Sequence, residues 1–272
     1  MSKSVGYFIR VVLARAYVRV IGAQREMSWV IGDTLLPFLS VAAYIYVYKA
    51  MNAPPEYTGF VVLGGILVTF WIHMIWSMGM QFFWEKEMGN LSLFLMSPLP
   101  RPALLLGMAL GGMVMTGSRA LIIYIASRLM FDIKFSISDP WLIVAISLAT
   151  LVALYGVGMM MSSLFFLAGR GIFNGMQVLM EPVFFLGGFY FPVKQLGMLT
   201  ATAAAAIIPI TLGLDALRQT MFSALDTGLF DPHTEMWWLF GMGVVFLYAA
   251  IIIVDKLEEI GRREGKLILK ND

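Results

Sequence analysis

Residues 140–168 read PWLIVAISLATLVALYGVGMMMSSLFFLA, 29 positions without one charged side chain. A bilayer core of about 30 Å is crossed by roughly 20 helical residues. The run is apolar throughout rather than at alternate positions, which excludes the pattern of an outer-membrane strand. It predicts a transmembrane helix. The rest of the chain agrees: 60% of its 272 residues are hydrophobic and 13% charged, with mean hydropathy +0.82. Soluble chains carry about 25% charged residues. An aqueous surface for this chain would need more polar side chains than it has. The sequence therefore describes an integral membrane protein, all-α, in one unit spanning 1–272.

Five further stretches have comparable length and apolarity: about Val30–Tyr48, Gly59–Phe83, Ala103–Phe131, Gly171–Pro192 and Met236–Val254. Six spans put both termini on one side, and Lys and Arg choose the side. Lys3, Arg10, Arg15, Arg19, Arg25, Lys86, Arg101, Arg170, Lys256, Arg262, Arg263, Lys266 and Lys270 fall on the terminal side. The opposite side holds Lys49, Lys134, Lys194 and Arg218, with Arg128 at its edge. The expectation is a multi-pass protein of the cytoplasmic membrane with both termini cytoplasmic. Trp141, Trp237 and Trp238 fall at outer ends and Trp29 and Trp84 at inner ends, as interface anchors do.

Residues 1–28 are too interrupted by Arg to cross lipid, and Arg10, Arg15 and Arg19 also rule out a signal-peptide core. Tyr7, Val11, Ala14, Val18 and Ile21 share one helical face, although Phe8 and Val12 fall with Arg15 and Arg19. This predicts an amphipathic helix on the inner surface, drawn to anionic lipid.

Soluble catalytic signatures are missing: the chain has no GxxxxGK[ST], no HExxH and no GxSxG. It has no cysteine and only two histidines, His73 and His233. No catalytic residues, no metal site and no nucleic-acid partner are expected. A charged tail, 255–272, emerges on the inner side.

The loop after the second span, 84–98, reads WEKEMGNLSLFLMSP. Glu85 and Glu87 precede the apolar Leu91, Leu93, Phe94 and Leu95. Ser97-Pro98 and Pro100 then end the run, because proline cannot continue a helix. Gly89 weakens or bends it. A short cytoplasmic helix with an acidic head and apolar body suits a groove on a partner protein.

That run resembles the coupling-helix region of ABC-2 type permeases, the six-span membrane subunits of ABC exporters. Gly187-Gly188-Phe189-Tyr190-Phe191-Pro192 is similar to the family's S-G-x-x-F-P signature, and Pro209-Ile210-Thr211 followed by Asp215 and Arg218 to its later P-x-T…D-x-x-R pattern. The resemblance covers essentially the whole chain. Asn90, Ser92, Gly187 and Gly197 depart from common family residues, which blurs the subfamily and with it the substrate.

The resemblance implies a permease of a daunorubicin-resistance or polysaccharide-export kind. It would act as a dimer with a second copy or a paralogue, moving a hydrophobic, lipid-like or lipid-linked substrate outward. Two separate ATPase subunits would hold ATP and Mg; this chain would bind no cofactor. Glu85, Glu87, Gly89, Leu91, Leu93 and Phe94 would couple to the ATPase. Residues 187–218 would form an outer re-entrant pair of short helices, with Gly187, Gly188, Phe191 and Pro192 at the gate turn.

Arg119, Glu181 and His73 stand inside spans, where polar groups face the bundle or a path. A direct Arg119–Glu181 pair would require tilt or shift of the spans. Gly107, Gly111 and Gly112 allow close helix approach. The alternative to an ABC permease is a stand-alone secondary transporter or channel. That reading predicts inverted repeats and several intramembrane acids; the sequence shows no repeat and few acids.

Overall fold

The computed structural model describes residues 5–25, 27–80, 83–84, 87–89, 99–131, 133, 137, 139–165, 172–222 and 228–263. Every regular element among them is helical. α1 is Val5–Gln24, α2 Met27–Ala50, and α3 Glu56–His73, which continues as a π-helical turn over Met74–Gly79. α4 is Arg101–Met130, α5 Pro140–Phe165 and α6 Ile172–Leu186. A 3₁₀ turn, Val193–Leu196, precedes α7, Met198–Ile207, and α8, Pro209–Met221. α9, Pro232–Arg263, is the last.

Prolines begin several of these helices, where the missing N–H costs nothing. Asp139 caps α5 by accepting from the Trp141 and Leu142 amides at 3.0 and 3.1 Å. Asp231 does the same for His233 at the start of α9, at 3.0 Å.

Five helices are long and apolar enough to cross a bilayer: Val30–Ala50, Glu56–Gly79, Pro102–Met130, Pro140–Ser162 and Pro232–Ile253. The expected fifth span is shorter. Its described helix, α6, has 15 residues and contains Pro182. Contacts nevertheless require a crossing there. α2 and α3 meet at the end assigned above to the outside, where Tyr48 stacks on Tyr57 at 5.0 Å. Phe131 and Ile133 join Val41, Ile45, Val61 and Val62 in a cluster at that end, so α5 starts there and runs to the opposite end. The segment after α6 then packs on Phe60, near the outer start of α3. The chain therefore crosses between α5 and the end of α6.

α7 and α8 are bent by 112° at Ile208. The pair begins just past the α6 turn and ends at Phe222, whose ring lies against Gly59. Both flanks thus sit at the same end of α3, so the pair forms a hairpin that enters and leaves the bundle there. Irregular backbone at such depth is stable only when buried in protein or lining water. Here it is buried: Ile210, Leu214, Ala216 and Leu217 are all inside the core.

α3 is the central helix. Of its most apolar stretch 83% is buried, against 17% for α2 and 22% for α9. Small residues let the neighbours close in. A Cβ on Gly158 of α5 would lie 2.8 Å from Met74 of the π turn. One on Gly156 would lie 3.0 Å from Phe246 of α9, along the most extensive helix pairing in the fold.

The N-terminal helix is more closely docked than an element resting on lipid. A Cβ on Gly107 of α4 would approach the Val12 carbonyl to 2.6 Å, and one on Gly111 the Ala16 carbonyl to 2.9 Å. Two approaches four residues apart on both helices mean that α1 runs parallel to α4 for at least a turn. Val11 and Val12 pack with Ala103 and Leu104, extending the contact toward the start of α4. Its docked face therefore includes Val12, Arg15 and Arg19, which lie off the predicted apolar face. Val5, Ile9, Leu13 and Tyr17 instead form an exposed apolar stripe.

Candidate functional site

At the end shared with the α2–α3 turn, α6 stops in the glycine pair. Gly187 N–H closes the last helical turn on Val183 at 2.7 Å. Gly188 turns the chain with φ +62°, a conformation that favours glycine, and a Cβ there would lie 2.9 Å from Val193. The turn exposes three successive carbonyls to the protein interior, and each has a donor. Arg218 of α8 donates to Gly188 at 2.6 Å and to Phe189 at 2.5 Å. Tyr48 of α2 donates to Tyr190 at 2.8 Å.

The same guanidinium donates to the Phe60 carbonyl at 3.2 Å and lies over the Phe60 ring at 3.3 Å. Arg218 is thus buried at 3% exposure with its charge shared among backbone oxygens and a π face. Thr211 adds a bond to Leu186 at 3.4 Å. The motif at 187–192 and the motif at 209–218 are therefore one structure, the second supplying donors to the first. Phe191 flanks the turn half-buried, and Pro192 is buried. Tyr190 stacks on Tyr44 at 4.1 Å.

Asp215 lies one turn before Arg218 and is also buried. It accepts from the Leu229 amide at 2.7 Å and from Gln219 at 3.1 Å. Glu235 of α9 accepts from the same Gln219 nitrogen at 3.3 Å and from the Phe230 amide at 3.2 Å. Two carboxylates on either side of one amide fasten the hairpin to the start of the last span.

Of the intramembrane polar residues, Arg119 pairs with Asp33 of α2 at 2.6 Å, not with Glu181. Glu181 is exposed on α6. His73 ends the α-helical part of α3, and its Nδ1 is buried without a hydrogen-bond partner. Just beyond, Arg19 of α1 donates to the Ser77 carbonyl at 2.8 Å and to the Ser77 hydroxyl. A π turn displaces carbonyls from the α ladder, and Arg19 satisfies one of them.

In the coupling region, Glu87 and Gly89 are described and exposed, and Gly89 has φ +75° with open space around it. Glu85, Leu91, Leu93 and Phe94 lie outside the described residues. Among the described residues no group of three His, Asp or Glu is arranged to hold a metal ion.

The sequence reading counted Arg218 as an outer-side charge, and the structure makes it a buried clamp. The signal for Arg218 was its place in the second outer motif, on a 13-residue helix, one motif after the turn it holds. Sequence spacing does not reveal a partner 30 residues away.

A family model described as ABC-2 type transporter matches residues 8–222. The match takes in most of α1, the motifs at 187–192 and 209–218, and the loop after the π turn. No curated protein and no solved structure matches the chain closely enough to serve as a relative.

Proposed function

Because this chain belongs to the ABC-2 type transporter family, we propose that it is the membrane subunit of an ATP-driven exporter. It is a transport permease rather than a catalyst. In this reading two copies, or this chain and a paralogue, pair in the cytoplasmic membrane with both termini inside. A separate ATPase subunit holds ATP and Mg, and its closure is transmitted through residues 84–98 into α3 and α4. The central path then opens outward for a hydrophobic, lipid-like or lipid-linked substrate.

The family match over 8–222 carries the proposal. Three features support its parts. Glu87 projects into solvent just after the π turn, where a docking partner would meet it. α2 leaves Ile31, Leu35, Leu36, Leu39 and Val47 uncovered, a face for lipid or a second subunit. The clamp at Arg218 joins the re-entrant hairpin to central α3, so motion of α3 reaches the outer turn.

The test is affinity purification of the tagged chain from its native membrane. An ATPase with a Walker A motif is expected to co-purify and to be lost when Glu85 and Glu87 are both reversed to Lys. A chain that transports without any ATPase would replace this reading with a secondary transporter.

A further inference from the structure

One face of α6 is left uncovered by the rest of the chain. Gln177, Val178, Glu181, Pro182 and Phe185 are exposed along it, while Met176 and Val183 turn into the core. Residues 177, 181 and 185 follow one another at four-residue steps, as do 178 and 182, so the exposed positions form one stripe down the helix. Gln177 and Glu181 give the stripe a polar edge, and Val178 and Phe185, 73% and 61% exposed, an apolar one.

Glu181 stands deep in the membrane. The turn after α6 packs on Gly64 and shares Arg218 with the Phe60 carbonyl. Those two residues lie four and eight positions in from Glu56, where α3 starts, or about 6–12 Å at 1.5 Å per residue. Glu181 precedes Gly187 by six positions, which places it about 9 Å farther in. That is near the middle of a hydrocarbon core about 30 Å thick. A charge at mid-depth is costly against lipid tails and faces water, a partner or a ligand instead.

Among the described residues nothing neutralises this carboxylate: Glu181 makes no hydrogen bond and no ion pair with them. Arg119 is held by Asp33 at 2.6 Å, and Arg218 by the carbonyls of Gly188, Phe189 and Phe60. A second copy of the chain would bring the same two guanidinium groups, equally engaged. A ligand is therefore the better source of the balancing charge.

Two neighbours on the stripe point to the same sign of ligand. Pro182 has no N–H, so the Val178 carbonyl one turn earlier loses its helical donor. That oxygen adds partial negative charge beside Glu181. Phe185, one turn after Glu181, contributes an aromatic ring, whose face also attracts cations. A hard metal ion would need more oxygen ligands than one carboxylate and one carbonyl supply. An organic cation with an apolar body needs only these, together with the apolar edge beside them.

We propose that this face of α6 binds the charged centre of a hydrophobic organic cation, with Glu181 as counter-ion, the Val178 carbonyl as a second acceptor and Phe185 as aromatic wall. The proposal rests on the permease reading for the fate of the bound cation as cargo, and it narrows the substrate class to amphiphiles of positive charge.

The experiment is equilibrium dialysis of the purified full chain, with any subunits that accompany it, in uncharged detergent. The probes are tetraphenylphosphonium, its neutral analogue triphenylphosphine oxide, and tetraphenylborate, an anion of the same shape. The phosphonium is expected to bind at least about tenfold more tightly than the oxide, a difference of about 1.4 kcal/mol, and the borate most weakly. Glu181→Gln should lower phosphonium binding to the level of the oxide and leave oxide binding unchanged, which reports a folded chain. Glu181→Asp, which keeps the charge, should retain part of the preference. Equal binding of the three probes, or a preference that survives Glu181→Gln, overturns the proposal. So does a parent without the preference whose Glu181→Gln variant separates into monomers, since Glu181 would then belong to a contact between copies. Absence of a co-purifying ATPase, with the cation preference intact, defeats the exporter reading and leaves this site standing. An ATPase that co-purifies with a chain lacking the preference defeats the site alone.

Discussion

The Phe189 carbonyl lies 2.5 Å from Arg218 and also occupies the space that a side chain at Gly64 would fill. The outer turn, the re-entrant hairpin and the central helix thus meet at one oxygen atom. Replacing Arg218 by Gln would leave the buried Gly188, Phe189 and Phe60 carbonyls short of donors. A cost on the order of 3 kcal/mol is expected, since hydrogen bonds to charged groups and unmet buried acceptors each weigh 1–3 kcal/mol. Lys should recover less than half, because an ammonium lacks the planar fork that reaches several carbonyls at once. Thermal unfolding in detergent measures both; a Gln variant as stable as the parent would refute the clamp.

Gly64 offers a second route to the same junction. Its Cβ would overlap backbone, which cannot rotate aside, so Gly64→Ala must push the turn off α3. Overpacking of this kind costs about 1–3 kcal/mol. Gly117 of α4 has open space around it. Gly117→Ala should be neutral or stabilising by up to about 1 kcal/mol from helix propensity. The contrast between the two alanines in one unfolding assay isolates the close approach from the general effect of removing glycine.

How far the sequence revealed this depended on the kind of signal. Apolar runs such as 140–168 located the bundle, because burial in lipid is read from composition alone. The pair of short helices within 187–218 was expected from the resemblance to the family and not from composition. The partners within the bundle were not visible. A direct Arg119–Glu181 pair required tilt or shift of the spans; Asp33 takes Arg119 instead, because α2 packs beside that part of α4. Likewise the mixed face of α1 read as a flawed amphipathic pattern. It is the face that packs on Gly107 and Gly111, where glycine makes room for the stems of Arg15 and Arg19.

Docking of α1 gives a third prediction. The chain has no cysteine, so a single introduced thiol reports without background. Val12 is 8% exposed against α4. Val12→Cys should react slowly with a maleimide in the folded protein. Adding Gly107→Leu forces α1 from its groove, because the Val12 carbonyl and Arg15 stem already stand within 3 Å of a Cβ there. Labelling should then accelerate by about tenfold, corresponding to about 1.4 kcal/mol of lost docking. An unchanged rate would mean that the glycine contact does not hold the helix.

Sidedness follows from the distribution of Lys and Arg and is checked by the same chemistry. Met51, 70% exposed, lies between α2 and α3, and His233 lies exposed at the start of α9. Both are at the end carrying the re-entrant hairpin. Glu87, past the opposite end of α3, and Lys256, past the apolar stretch Pro232–Ile253 of α9, are exposed. An impermeant maleimide applied to intact cells should label Met51→Cys and His233→Cys, and should label Glu87→Cys and Lys256→Cys only after permeabilisation. The four positions divide two and two because α3 and α9 each cross once, so the outcome tests crossing and direction together. Labelling of Glu87→Cys from outside would invert the bundle. It would put the acidic segment out of reach of any cytoplasmic ATPase, and the transport reading would fall with it.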